Sequence, residues 1–188
     1  MTNTIEQIIA ESMRVKEGLI QKNGEAIERI AATCIAALKR GGKIIIFGNG
    51  GSAADSQHFA AELVGRFKKE RRPFAAIALT TNSSILTALA NDYSYEVTFS
   101  RQVEALGASG DIAFAISTSG KSPNVLKAAL AARERGITTI ALTGGSGGSL
   151  ATACDEAIVV PSQDTPRIQE AHLLIIHILC ELIENGLT

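Results

Sequence analysis

The run Lys43-Ile44-Ile45-Ile46-Phe47, broken at once by Gly48-Asn49-Gly50-Gly51-Ser52, constrains this chain more than any other stretch. Five residues without apolar–polar alternation read as a strand buried on both faces, the signature of a parallel sheet. Helical spacing resumes from Ala53 to Phe67. A glycine turn that opens a helix leaves unpaired N–H groups and a positive dipole end, which suits an anion such as phosphate. On that helix His58 and Glu62 stand at i and i+4, roughly 40° apart and roughly 6 Å along the axis, so they share a face. Anion cradle and His/Glu pair together suggest a site for a phosphorylated small molecule.

The same strand–helix alternation continues along the chain. Strands are read at Phe74–Leu79, Asp111–Ser117, Ile137–Thr143 and Glu156–Val160, and helices at Ser83–Leu89, Tyr95–Leu106, Pro123–Arg135 and Thr165–Glu184. Two helical segments, Thr4–Asn23 and Glu25–Arg40, precede them, the second stopped by Gly41-Gly42. Five strands joined by crossovers imply an α/β fold, a doubly wound parallel sheet with helices on both faces. With 188 residues and no linker or repeat, one domain is expected over 1–188, its sheet core in 41–188. The first 40 residues are left for contacts between subunits, because Ile5, Ile8, Ile9 and Met13 form an apolar stripe with no place on the sheet.

Composition narrows the function. A net charge of −1 with no basic run argues against nucleic acid, and no apolar stretch is long and uncharged enough for a membrane span. The start, Met1-Thr2-Asn3-Thr4-Ile5-Glu6, has no charged segment leading into an apolar core, so export is not expected. Cys34, Cys154 and Cys180 lie in apolar helical or loop contexts and fit reduced, buried thiols. A cytoplasmic enzyme or binding protein follows.

A second polar loop, Ser117-Thr118-Ser119-Gly120-Lys121-Ser122-Pro123, ends the third strand. It packs four hydroxyls and a glycine into six residues, with Ser122 placed as cap and Pro123 as first helical residue. Such a loop can ring a phosphate without arginine, although its spacing is not that of a Walker loop. In doubly wound sheets ligands bind beyond the carboxyl ends of the strands, where both loops sit. The chain has three histidines, and His172 and His177 share the last helix. They point roughly 140° apart, so one site takes only one of them. His177 is assigned to the site, with Gln169 roughly 80° from it, and His172 to the core. Asn91-Asp92 reads locally as a helix-stop turn, and Thr143-Gly144-Gly145-Ser146-Gly147-Gly148 as flexible punctuation after a strand.

Taken together, Gly48-Asn49-Gly50-Gly51-Ser52-Ala53-Ala54-Asp55, Ala60-Ala61-Glu62-Leu63-Val64-Gly65-Arg66-Phe67, Ser117-Thr118-Ser119-Gly120 and Arg167-Ile168-Gln169-Glu170 resemble the bacterial phosphoheptose isomerases of the sugar isomerase (SIS) superfamily. The resemblance implies conversion of sedoheptulose 7-phosphate to D-glycero-D-manno-heptose 7-phosphate through an enediol, towards activated heptose for lipopolysaccharide or surface glycans. It implies Glu62 and His177 as catalytic pair, and substrate contacts at Asn49, Gly50, Gly51, Ser52, Glu62, Asn91, Asp92, Ser117, Thr118, Ser119, Ser122 and Gln169. It implies one zinc ion per subunit on His58, Glu62, Gln169 and His177, and a homotetramer with sites at subunit interfaces. Lys121 stands where a neutral residue is common in the family, and Pro166 where some relatives carry an acid. A non-catalytic SIS module, binding a sugar phosphate or partner protein as the similar replication-initiator-associating proteins do, needs the phosphate loop. It has no use for His58, Glu62 and His177 together. Gln169 and His177 lie eight residues apart, roughly 12 Å along one helix, so neighbouring subunits are expected to complete one another's pockets.

Overall fold

The computed structural model describes residues 2–188, leaving Met1 outside. Five parallel strands, β1 (Ile44–Gly48), β2 (Ala76–Ala78), β3 (Ile112–Ser117), β4 (Thr138–Gly144) and β5 (Glu156–Val160), form one sheet in the order β2-β1-β3-β4-β5. The order reverses between β1 and β3. That switch point opens a crevice between the loops that follow these two strands, and they are the two polar loops of the sequence. β1 and β3 are buried at every position, which explains runs without alternation.

The pleat sorts the two faces. Ile44 and Ile46 of β1, Ile112, Phe114 and Ile116 of β3, and Ile140 and Leu142 of β4 meet α1 (Thr2–Lys39), α2 (Gly51–Val64) and α7 (Thr165–Leu187). Large residues here fill the layer, with Phe59 of α2 edge-on to Phe114 at 5.2 Å between ring centres. The opposite face carries Ile45, Phe47, Ala113, Ala115 and Ala141, packed against α4 (Ser100–Leu106), α5 (Pro123–Glu134) and α6 (Gly148–Ala153). The small Ala113, Ala115 and Ala141 admit α5, which brings its own Ala128, Ala129 and Ala132. α3 (Ser83–Asp92) has no buried residue.

Several boundaries differ from those read in the sequence. The two N-terminal helical segments are one helix, α1, 38 residues long. Asn23-Gly24 looks like a stop, but the Asn23 carboxamide is spent elsewhere: its Nδ2 donates to Val159 O and its Oδ1 accepts from Val159 N, both at 3.2 Å. The amide that would end a helix instead seals the free edge of β5. β2, an edge strand paired only with β1, is just three residues long. Tyr95–Leu106 divides into a 3-10 turn, Tyr95–Val97, and α4. The Thr143–Gly148 stretch is not loose punctuation, since its last glycine starts α6.

Candidate active site

The turn after β1 is locked against the sheet. Ser52 N and Ala53 N donate to Asn49 O and Gly50 O at 2.9 and 3.0 Å, and Gly50 takes φ 56°, which glycine alone adopts freely. The α2 N-terminus therefore faces the crevice with no side chain capping it. Asn49 is held by two residues that spacing did not single out. Its Nδ2 donates to Asn124 Oδ1 at 2.8 Å, while its Oδ1 accepts from Asn124 Nδ2 at 2.9 Å and from the Tyr95 hydroxyl at 3.0 Å. The one sequence signal was Asn124 itself, a carboxamide in the first turn of α5 that proves 3 % exposed.

Across the crevice, the hydroxyl loop keeps its shape through the next loop. Gly144 N donates to Thr118 O at 3.1 Å and Leu150 N to Gly120 O at 3.0 Å. A Cβ at Gly120, which has φ 64°, would run into Gly147, and one at Gly148 into Gly120. Ser122 occupies the cap position and Pro123 the first helical one, yet the Ser122 hydroxyl makes no cap bond. It turns to the Ser117 hydroxyl at 3.0 Å, while Pro123 brings no N–H to the first turn of α5 and the Val125 N–H is bonded to Asn124 Oδ1 at 3.0 Å. Ser119 Oγ accepts from Lys121 N at 3.2 Å. Between the loops lies a polar recess of about 140 Å³, with Thr118, Ser119, Lys121, Ser146, Gln163 and Thr165 among its lining.

α2 and α7 run side by side and bring the titratable groups together. His58 Nε2 and His177 Nε2 lie 2.9 Å apart, within hydrogen-bonding distance, and Glu62 Oε1 is 3.5 Å from His58 Nε2. The Phe67 ring flanks His177 at 5.5 Å. One turn earlier on α2, burial outweighs the pull of His58 and pushes Asp55 up to about 6. His172 is fully buried, its Nε2 facing Thr143 O at 3.2 Å, in agreement with its assignment to the core.

Gln169 does not join this group within one chain. Its carboxamide packs on Gly51, where an added Cβ would collide with it, at the opposite end of the α2–α7 contact from His58 and His177. Asn91 and Asp92, at the exposed end of α3, bond each other at 2.8 Å and no other predicted site residue. Imidazole nitrogens and a carboxylate are the donor types that suit zinc, and the 3.5 Å between His58 and Glu62 matches the ~3.3 Å between two ligands of a tetrahedral ion. The 2.9 Å between the histidines is the spacing of a hydrogen bond. Among the described residues no three His, Cys, Asp or Glu side chains already enclose a metal position. The donors fit zinc by type, then, with a small opening of the His pair and a fourth ligand from elsewhere.

A family model described as "SIS domain" matches residues 7–144. The chain is 53% identical over 185 residues to the phosphoheptose isomerase of Aquifex aeolicus, covering 98% of this chain and 97% of that one. The solved phosphoheptose isomerase of Neisseria gonorrhoeae superposes with a TM-score of 0.93 at 44% identity, and that of Francisella tularensis with 0.94 at 38%, each over 98% of both chains.

Proposed function

Because this chain belongs to the SIS domain family, and within it to the phosphoheptose isomerases, we propose that its crevice interconverts a seven-carbon ketose phosphate and its aldose. The reaction is the isomerisation of sedoheptulose 7-phosphate to D-glycero-D-manno-heptose 7-phosphate. One observation carries the reading to this chain's own residues: His58 and Glu62, on the helix that the glycine turn opens, meet His177 where α2 and α7 pack. A module that only bound sugar phosphates would need the hydroxyl loop and not the trio.

Moving a carbonyl from C2 to C1 removes a proton from C1, passes through an enediol, and returns a proton to C2. Glu62, only partly exposed, is the base that takes and returns the carbon-bound proton. His177 holds a proton at Nε2 for the carbonyl oxygen, with His58 as the partner that fixes its tautomer and ring. Ser117, Thr118, Ser119 and Ser122 grip the phosphate, and Ser52 and the α2 N-terminus face it from the other side. That remote binding positions the reacting carbons. Asn49, Gly50, Gly51, Asn91 and Asp92 belong to the sugar's surroundings in this reading. One zinc ion per subunit, held by His58, Glu62, His177 and a Gln169, would act as a Lewis acid on the sugar oxygens, and the metal-holding and proton-moving roles of Glu62 and His177 then belong to different steps.

Gln169 lies apart from the trio in its own chain, which supports a ligand contributed by a neighbouring subunit. Self-association is further supported by the exposed Ile5, Ile8, Ile9, Met13 and Ile20 of α1. A groove of about 650 Å³ between α1 and α7, lined by Leu19, Ile27, Leu174, Ile178 and Leu182 among others, adds to it. A homotetramer is the assembly proposed. No described helix is long and apolar enough to cross a membrane, and all three cysteines are free, in keeping with a cytoplasmic enzyme feeding heptose into surface glycans.

The test is aldose formation from sedoheptulose 7-phosphate. Wild-type protein turns it over, and Glu62→Gln folds but loses about three to five orders of magnitude in kcat, as expected when a general base disappears along with its electrostatics. A wild type without turnover refutes the activity, and an active Glu62→Gln removes Glu62 as base. Metal analysis of the same preparations, purified without chelator, finds zinc lowered in His58→Ala. Full activity of metal-free protein would reduce zinc to an incidental occupant.

A further inference from the structure

The buried pair Arg71–Glu184 belongs to neither loop and is named by no sequence motif, yet it holds the backbone of Glu62 and of Phe67, whose ring flanks His177. Glu184 lies seven residues beyond His177 on α7, two turns along and on nearly the same face. Arg71 sits in the connection after α2. Their side chains are 3% and 2% exposed, with Arg71 Nε 2.9 Å from Glu184 Oε1. The Glu184 carboxylate also accepts the N–H groups of Phe67, Lys68 and Lys69 at 3.1, 2.9 and 2.9 Å. Burial alone would raise its pKa, but these three bonds and the guanidinium outweigh it and hold the carboxyl below the usual range.

The rest of the guanidinium closes the end of α2. Nη2 donates to Glu62 O at 2.8 Å, and Nη1 to Leu63 O and Gly65 O at 3.0 and 3.1 Å. These are the last carbonyls of α2, which have no partner within the helix, and a cation there also opposes the negative end of the helix dipole. Phe74 lies under the guanidinium at 4.0 Å and stops it tilting. On the other side, the Phe67 N–H is clamped by Glu184 while its ring flanks His177. So one ion pair fixes the main chain of Glu62 and the ring beside His177 to the same point on α7.

We propose that Arg71 and Glu184 are positioning residues that set the distance between base and acid. The proposal rests on the roles given above to Glu62 and His177. A buried ion pair does little for net stability compared with an apolar pair of the same volume. What it supplies is registry: seven directed hydrogen bonds, counting those just named, admit one placement of α2 against α7, where apolar packing would allow sliding. A shift of about 1 Å between reacting groups costs about a hundredfold in rate.

Arg71→Lys tests this, because it keeps a charge for Glu184 but cannot hold the Glu62, Leu63 and Gly65 carbonyls together. With sedoheptulose 7-phosphate as substrate, kcat falls about tenfold to a hundredfold while KM stays within about twofold, since the phosphate loops are untouched. Arg71→Ala falls further and recovers part of its kcat on adding millimolar guanidinium, a rescue that a general loss of stability would not show. Arg72→Gln, exposed on the same connection, keeps wild-type kcat. Wild-type kcat in Arg71→Lys, a KM that rises as kcat falls, or no rescue of Arg71→Ala overturns the inference and leaves the isomerase reading intact. A wild type without turnover removes that reading, and this inference with it.

Discussion

His172 is wholly enclosed, with Nε2 on Thr143 O and no partner for Nδ1. An imidazole in that setting is kept neutral: burial lowers its pKa from 6.5 to about 4, and the Thr143 carbonyl only partly offsets this. The unfolded chain takes up a proton near pH 6.5 and the folded one only near 4, so this residue's contribution is full above 6.5 and is lost as pH falls through that window. The interval of about 2.5 pH units corresponds to about 3 kcal/mol. Asp55 works in the opposite sense, since its raised pKa makes the fold gain as pH falls from about 6 towards 3.8. His172→Gln separates the two, keeping an N–H for the Thr143 carbonyl and removing the titration. Its melting temperature drops less than that of wild type between pH 7.5 and 5. Equal drops would show that His172 is not the group responsible. At this scale its neighbour five residues on, His177, has the opposite fate because the helix turns it towards α2.

At the scale of elements, α1 runs unbroken through Gly24, which has no positive φ and nothing within 4 Å of an added Cβ. Gly24→Ala therefore stabilises the fold by about 0.5–1 kcal/mol, through helix propensity and a less flexible unfolded chain. A lower melting temperature in that variant would mean that the groove beside Gly24 is filled in solution. The same helix shows what sequence could and could not reveal. The strands were legible because each is an apolar run between glycine or polar breaks, and Glu156–Val160 fell on its final bounds. The Asn23-Gly24 break misled because the true partner of that carboxamide is Val159, 136 residues away. Gly147 and Gly148 misled for a related reason: Gly148 is required by contact with Gly120 and Gly147 by its φ of 83° and contact with Ala151, which no local pattern displays. His58, Glu62 and the hydroxyl loop were visible from spacing, and His177 from the helix angle. Asn124 and Tyr95 were not, since only the fold sets α5 and the turn after α3 beside Asn49.

For the whole molecule, the decisive residue is Gln169. His58, Glu62 and His177 meet in one chain, while Gln169 packs on Gly51. Refolding Glu62→Gln subunits together with Gln169→Ala subunits regains activity if each pocket borrows its glutamine from a neighbour, because some mixed pockets then hold both native residues. Mixing Glu62→Gln with His177→Gln regains none, since every pocket keeps one defect. Activity at the parental level in the first mixture, despite proven subunit exchange, ends the idea of a borrowed Gln169. The clasp between the hydroxyl loop and the loop after β4 has a consequence for how ligands arrive. With Gly120 seated on Gly147 and Gly148, neither loop can swing without dragging the other and the start of α6. A phosphate bound there, as proposed, would meet a cradle whose conformational entropy was surrendered when the chain folded, with little ordering left to oppose its capture.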